Sequence, residues 1–215
     1  FGKSADSNIK LRSFEQGVAH FETLTESSVV EVPGGGEHHA MSVLAAVAVL
    51  DTLGVDLRRI QKINLKGLPV GRGNRSNFAG VTLIDDSYNA NPASMVAALK
   101  TLSHEEGRTI AIIGEMLELG NESEKHHISL AKACVGIDQI YCVGEATRPL
   151  YERLPVAQRF GFCPNPELLD VKAIAKMLIP GDIVLLKASN RIFWIRNVVT
   201  KLGVCISESM PQPPE

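Results

Sequence analysis

Apolar and polar positions alternate along the first thirty residues, then give way to a solid apolar block. Residues 9–14, 18–25 and 28–32 alternate or carry β-branched side chains, which predicts three short strands. Pro33-Gly34-Gly35-Gly36 breaks that pattern. Residues 38–53, closed by Gly54, are Ala-rich and apolar almost all round, so a helix buried on every side is expected there. A shorter helix is expected over 57–63. Residues 67–80 are rich in Gly, Arg, Asn and Ser and read as a linker between two domains.

Beyond residue 80 the period switches back and forth. Short apolar runs at 81–85, 108–113, 139–143, 157–162 and 183–187 read as strands. Stretches with helical character lie between and after them, at 92–102, 123–134, 146–153, 166–178 and 192–202. Strands alternating with helices at this spacing predict an α/β fold, a Rossmann-like and mostly parallel sheet covered on both faces. Ligands on such sheets gather at the carboxyl ends of the strands. The Pro-rich end is expected to be disordered. The layout expected is 1–78, 79–207 and a tail at 208–215.

Charge and cysteine usage narrow the function classes. Lys and Arg number 22 against 24 Asp and Glu, a net charge of -2, so nothing argues for nucleic acid or an anionic membrane surface. The four cysteines form no Cys-x-x-Cys pair, which favours reduced thiols in a cytoplasm over disulfides or zinc. The longest apolar run, residues 43–50, is far short of a membrane span. No apolar signal region opens the chain, and it starts with Phe1 instead of Met, so a piece of a longer cytoplasmic protein is expected.

Polar clusters follow most of the expected strands. Asp85-Asp86-Ser87-Tyr88-Asn89-Ala90-Asn91-Pro92 runs from a strand into a helix with Pro in its first turn. Asp86 and Asn91 suit ribose hydroxyls or a ligand amide, and Asn91 equally suits a helix N-cap. Gly114-Glu115-Met116-Leu117-Glu118-Leu119-Gly120 places carboxylates in a Gly-bounded loop, which by itself reads as solvated. In Glu122-Ser123-Glu124-Lys125-His126-His127, charge at a helix start complements the macrodipole, and either His suits a ligand contact or a proton carrier. No spacing here fits a metal site, and none is expected. Lys187-Ala188-Ser189-Asn190-Arg191 ends a strand and suits an anion cradle. Gly34-Gly35-Gly36-Glu37-His38-His39 allows close ligand approach, or is a simple turn. Arg72 suits a nucleotide or is an exposed linker residue. Two imitations fail. Gly2-Lys3-Ser4 lacks the upstream half of a phosphate loop, and Gly71-Arg72-Gly73 has Ser76 where a dinucleotide fingerprint needs its third Gly.

Taken together, these segments resemble the Mur ligase family. The 85–95 stretch resembles the motif that opens the carboxy-terminal domain of the members that add D-alanyl-D-alanine, and residues 114–120 resemble their second motif. Glu122-Ser123-Glu124 with His127, and Lys187-Ala188-Ser189, resemble the next two. Gly36-Glu37-His38 with Leu44-Ala45-Ala46 resembles a motif late in the central ATPase domain, and Gly71-Arg72 resembles the linker motif. The segments stand in the family's order. The resemblance implies a carboxy-terminal domain preceded by part of the central ATPase domain. It also implies a cytoplasmic bacterial enzyme, monomeric at full length. That enzyme joins D-alanyl-D-alanine to UDP-N-acetylmuramoyl-tripeptide with ATP and Mg2+, through an acyl phosphate. It sets Arg72, Asp86, Tyr88, Asn89, Asn91 and His38 on the nucleotide side, and His127 and Lys187 on the dipeptide or phosphate side. The phosphate loop, the catalytic glutamate and the carbamylated lysine of the family have no counterpart in this chain, so the chain alone is expected to be inactive. The sequence departs from the family at His39 and Ser42, where Asn associated with adenine is usual. Ala188 stands for Gly, and Asn190 stands where Arg is frequent.

Two other readings fit the alternating pattern. One is a Rossmann-like nucleotide module such as an oxidoreductase domain, which would need a glycine fingerprint where Asp85-Asp86-Ser87-Tyr88 stands. The other is a non-catalytic domain descended from a ligase.

Overall fold

The computed structural model describes residues 1–24, 26–32, 37–56 and 69–210. The chain divides into two units, Phe1–Leu68 and Pro69–Glu215.

In the first unit, β1 (Lys10–Glu15), β2 (Val18–Glu22) and β3 (Ser27–Glu31) form an antiparallel meander. The β1–β2 turn is only Gln16-Gly17, both at positive φ, the backbone that matches strand twist in a two-residue hairpin. One face of the meander carries Leu11, Ala19, Phe21 and Val30, which pack with Ala40, Leu44 and Val47 of helix α1 (Glu37–Thr52). Among the described residues the helix is covered on the side that meets the meander. Ser42, Ala46 and Val49, at helical spacing, are exposed, against the expectation of burial all round. An Ala-rich apolar helix has no polar face to announce which side meets solvent. The helix expected over 57–63 and the turn at Gly34–Gly36 lie outside the described residues.

The second unit holds a six-stranded sheet in the order β4-β5-β9-β6-β7-β8: β4 (Asn74–Phe78), β5 (Val81–Asp86), β6 (Thr109–Gly114), β7 (Gln139–Val143), β8 (Arg159–Cys163) and β9 (Ile183–Lys187). All neighbours are parallel except β4, which is antiparallel to β5. The mostly parallel sheet expected from the alternation is therefore present. The linker expected at 67–80 is in part an edge strand. Ala79-Gly80, both at positive φ, turn β4 back onto β5. Its polar residues suit a strand with one free edge, and that polarity hid it in the sequence.

Strand periodicity sorts the core onto two faces. Ile110 and Ile112 of β6 face a cluster that includes Val198, Leu202 and Ile206 of α6 (Val198–Ser209) and Ile174 and Ala175 of α5 (Val171–Met177). Ala111 and Ile113 face Met95 and Leu99 of α2 (Pro92–Leu102) and Leu150 of α4 (Arg148–Arg153). Leu130, just after α3 (Ser123–Ser129), joins that second cluster. Each Ile, Leu, Val or Met among these contributes about 1.5–3 kcal/mol by leaving water. Arg108 forks onto the fully buried carboxylate of Asp182, at 2.8 and 2.6 Å, and ties the start of β6 to the start of β9.

Three helices differ from expectation. The one expected at 192–202 begins at Val198, after turns that end at left-handed Asn197, and runs to Ser209. Residues 208 and 209 of the expected tail are therefore helical, and 211–215 lie outside the described residues. The one expected at 166–178 begins at Val171, because the Asp170 side chain accepts from Lys172 and Ala173 and caps it there. The third, expected at 123–134, ends as an α-helix at Ser129. All four cysteines are free. Burial pushes the Cys134 thiol up to about 12 and the Cys142 thiol higher still.

Candidate functional site

Because β9 lies between β5 and β6, the strand ends that carry the polar clusters are neighbours. In the parallel register Asp86 stands beside Lys187, and Lys187 beside Ile113. The Lys187 side chain is 3 % exposed and that of Asp86 15 %. Lys187 Nζ donates to Asp86 Oδ2 at 2.6 Å and to the Asn89 carbonyl at 3.1 Å. A buried ammonium is tolerated only with such partners. Three candidate residues thus meet: Asp86 by its carboxylate, Asn89 by its backbone and Lys187 by its ammonium. The Asn89 side chain takes no part in these bonds, and the residue is exposed.

The turn after β5 is held from within. Asp85 Oδ1 accepts the Ser87 N–H at 3.1 Å and its hydroxyl at 2.5 Å. The Gly71 carbonyl accepts from Tyr88 N–H at 3.0 Å, which brings the segment before β4 onto this turn. Arg72 then lies over the Tyr88 ring, Cζ 4.3 Å from its centroid. Trp194 meets Tyr88 edge to face at 5.5 Å. A side chain at position 71 would strike Trp194 at 2.6 Å, so Gly71 (φ +81) is required both for its backbone and for this stack. Arg72 and Tyr88 are exposed, and together with Trp194 they form a cation–aromatic platform open to solvent. Trp194 was hidden from sequence reading inside an expected helix, and no local signal marks it.

Asn91 is the N-cap of α2. Its side chain accepts from Ser94 N–H at 2.9 Å, and Ser94 Oγ accepts from Asn91 N–H in return. The helix cap read for Asn91 is formed.

The loop after β6 is fastened at successive residues. Ala146 N–H donates to Glu115 Oε1 at 2.8 Å. Met116 N–H donates to His127 Nε2 at 2.9 Å. Leu117 N–H donates to Ser189 Oγ at 2.8 Å, and Ser189 N–H to the Glu115 carbonyl at 2.9 Å. The carboxylates expected in a solvated loop therefore divide: Glu118 is exposed, while Glu115 bridges to the turn after β7. His127 has no exposed surface, and its Nδ1 is 2.7 Å from the Ser123 carbonyl. Burial, opposed by that carbonyl and by the Glu115 charge, holds the ring's pKa below the usual histidine value. In this structure the ring offers neither nitrogen to a ligand, so the expected dipeptide contact or proton carrier is a buried, neutral, doubly bonded imidazole. His38 lies in the first turn of α1, in the other unit, and its side chain is outside what the structure describes. Among the described residues no group of three or more His, Cys, Asp or Glu is placed to hold a metal. No described helix is long and apolar enough to cross a membrane.

Comparison with known proteins fits this arrangement. Residues 71–190 match the family described as Mur ligase, glutamate ligase domain. The chain is 36% identical over 144 residues to UDP-N-acetylmuramoyl-tripeptide--D-alanyl-D-alanine ligase of Escherichia coli, covering 65% of this chain and 32% of that one. It is 30% identical over 191 residues to the ligase of the same name from Synechocystis, covering 85% and 39%. Among solved structures it resembles a MurF ligase from Thermotoga maritima in complex with ADP, at TM-score 0.76 and 26% identity over 94% of this chain and 48% of that one. It also resembles MurF from Acinetobacter baumannii, at TM-score 0.80 and 27% identity over 94% and 46%. The chain thus spans about a third to a half of the length of these relatives. The match to residues 71–190, which include Arg72, Asp86, Tyr88, Asn89, Asn91, His127 and Lys187, shows that the chain belongs to the Mur ligase family.

Proposed function

We propose that this chain is part of an ATP-dependent ligase that joins D-alanyl-D-alanine to UDP-N-acetylmuramoyl-tripeptide in the bacterial cytoplasm. The observation that carries the reading is the cluster of Asp86, Lys187 and the Asn89 carbonyl beside the Arg72–Tyr88 platform, within the span matched to the family. The named relatives carry the D-alanyl-D-alanine activity, and one related structure holds ADP.

The chemistry activates the terminal carboxylate of the tripeptide as an acyl phosphate. The dipeptide amine attacks the acyl carbon, and phosphate leaves with the C–O bond electrons. In this chain Arg72 and Tyr88 would take the nucleotide by cation and ring face. Asp86, with Oδ2 bound to Lys187, keeps Oδ1 for a ribose hydroxyl. Lys187 orients that carboxylate and adds positive potential where phosphate charge develops. Asn91 shapes the cleft by starting α2. The nucleotide's phosphates and Mg2+, which would offset their charge, find no phosphate loop and no metal donor set among the described residues. Residues 1–68 are on this reading the end of the ATP-binding domain, and the chain alone should release no phosphate.

The test is phosphate release by the full-length gene product with ATP, magnesium and UDP-muramoyl-tripeptide, with D-alanyl-D-alanine added or withheld. Dipeptide-dependent release that falls at least about tenfold in Arg72→Ala supports the reading, since such a loss matches about 1.4 kcal/mol of transition-state binding. A well-folded full-length protein without dipeptide-dependent release refutes it.

A further inference from the structure

His127 is delivered to its place by its own helix. Ser123 and His127 are one turn apart on α3, and the Ser123 carbonyl lies 2.7 Å from Nδ1. The opposite nitrogen, Nε2, faces the Met116 N–H at 2.9 Å. A backbone N–H can only donate, so Nε2 must present its lone pair. Nδ1 then carries the proton and donates it to Ser123, which defines one neutral tautomer. The titratable groups acting on the ring are the Glu115 carboxylate across the loop and His126 on its own helix.

Met116 is 1% exposed, so its N–H has no ready substitute partner in solvent. The residues on either side of it are tied to Ser189, which follows Lys187 by two positions. Leu117 donates to the Ser189 hydroxyl, and the Glu115 carbonyl accepts from Ser189 N–H. A continuous set of hydrogen bonds therefore runs from the start of α3, through residues 115–117, to the turn that follows the buried lysine. We infer that His127 is a positioning residue: by accepting the Met116 N–H it latches the 115–117 segment, and through Ser189 it sets the turn after Lys187. Its link to catalysis rests on the function proposed above; the latch itself does not.

Side-chain amides separate the two bonds of the ring. The oxygen of Gln reaches the position of Nε2 and can accept from Met116. The amide N–H of Asn matches Nδ1 and keeps only the Ser123 bond. Leu keeps volume and neither bond. In the full-length protein, amide exchange over residues 114–120 should stay within about threefold of the parent in His127→Gln and rise about tenfold or more in His127→Asn and His127→Leu. Unchanged exchange in a folded His127→Leu, or equal protection by Asn and Gln, overturns the latch. Ser189→Ala leaves the ring untouched and should release Leu117 by the same route; unchanged exchange there overturns the link to the turn. Dipeptide-dependent phosphate release should fall about tenfold or more in kcat with Asn and recover with Gln. Unimpaired release by an Asn variant whose loop has loosened removes the catalytic consequence. A parent protein that never releases phosphate refutes the ligase reading and leaves the exchange result standing.

Discussion

Lys187 and Asp86 lie 101 residues apart in sequence and 2.6 Å apart in the structure, side by side on neighbouring parallel strands. The lysine is almost wholly buried, and its ammonium is bonded only to the Asp86 carboxylate and the Asn89 carbonyl among the described residues. Removing one partner should cost more than removing both. Asp86→Ala is expected to lower unfolding free energy by about 3 kcal/mol, and Asp86→Ala with Lys187→Met to recover about 1–2 kcal/mol of that loss. Urea denaturation of the two single variants and the double variant measures the coupling. Strictly additive losses would mean the pair is energetically idle, and activity losses at Lys187 could then be read as chemistry alone.

Gly144 and Glu115 make a tighter pairing. Gly144 sits at φ +97, and a Cβ there would come within 2.3 Å of the Glu115 Cγ and Cδ. Gly144→Ala should therefore cost about 2–4 kcal/mol, part of it backbone strain and part collision. In a Glu115→Ala background the collision is gone, and only about 1–2 kcal/mol should remain. Equal costs in both backgrounds, read from thermal or urea midpoints, would show that Glu115 does not hold that turn.

The platform can report on itself, because Trp194 is the single tryptophan of the chain. Tyr88→Ala should shift its emission and weaken ADP binding by roughly three- to tenfold, the range of one exposed cation–π or stacking contact. Tyr88→Phe keeps the ring and should change neither. ADP affinity unaffected by Tyr88→Ala would separate the platform from the nucleotide.

Acid should find His127 as well. Its folded-state pKa lies below the ordinary value of 6.5, so the unfolded chain binds the proton first. The stability that comes from keeping the ring neutral is complete above pH 6.5 and declines as pH falls through the window below it. The parent should lose more stability than His127→Gln between about pH 7.5 and about pH 5. Parallel losses in the two proteins would contradict a neutral native ring. Glu115, whose charge favours the protonated ring, narrows the window, and His126 widens it.

Much of this protein is written locally. The alternation of Val18–Glu22 and the short apolar run Ile110–Ile113 of β6 mark strands without reference to distant residues. Asn91-Pro92 starts α2 by a cap that needs only Ser94. The α/β class and the polar clusters near strand ends follow from the same short-range patterns, and the family motifs lie within them. Tertiary structure decided the rest. Nothing near Asn74–Phe78 shows that its polar residues form an edge strand, because that strand exists only through its ladder to β5. The role of His127 depends on which donor meets Nε2, and that donor comes from another element. Above all, β9, distant in sequence from both, enters the sheet between β5 and β6. Hydrogen-bond register and side-chain packing between remote segments fix that order, and they alone place Lys187 beside Asp86.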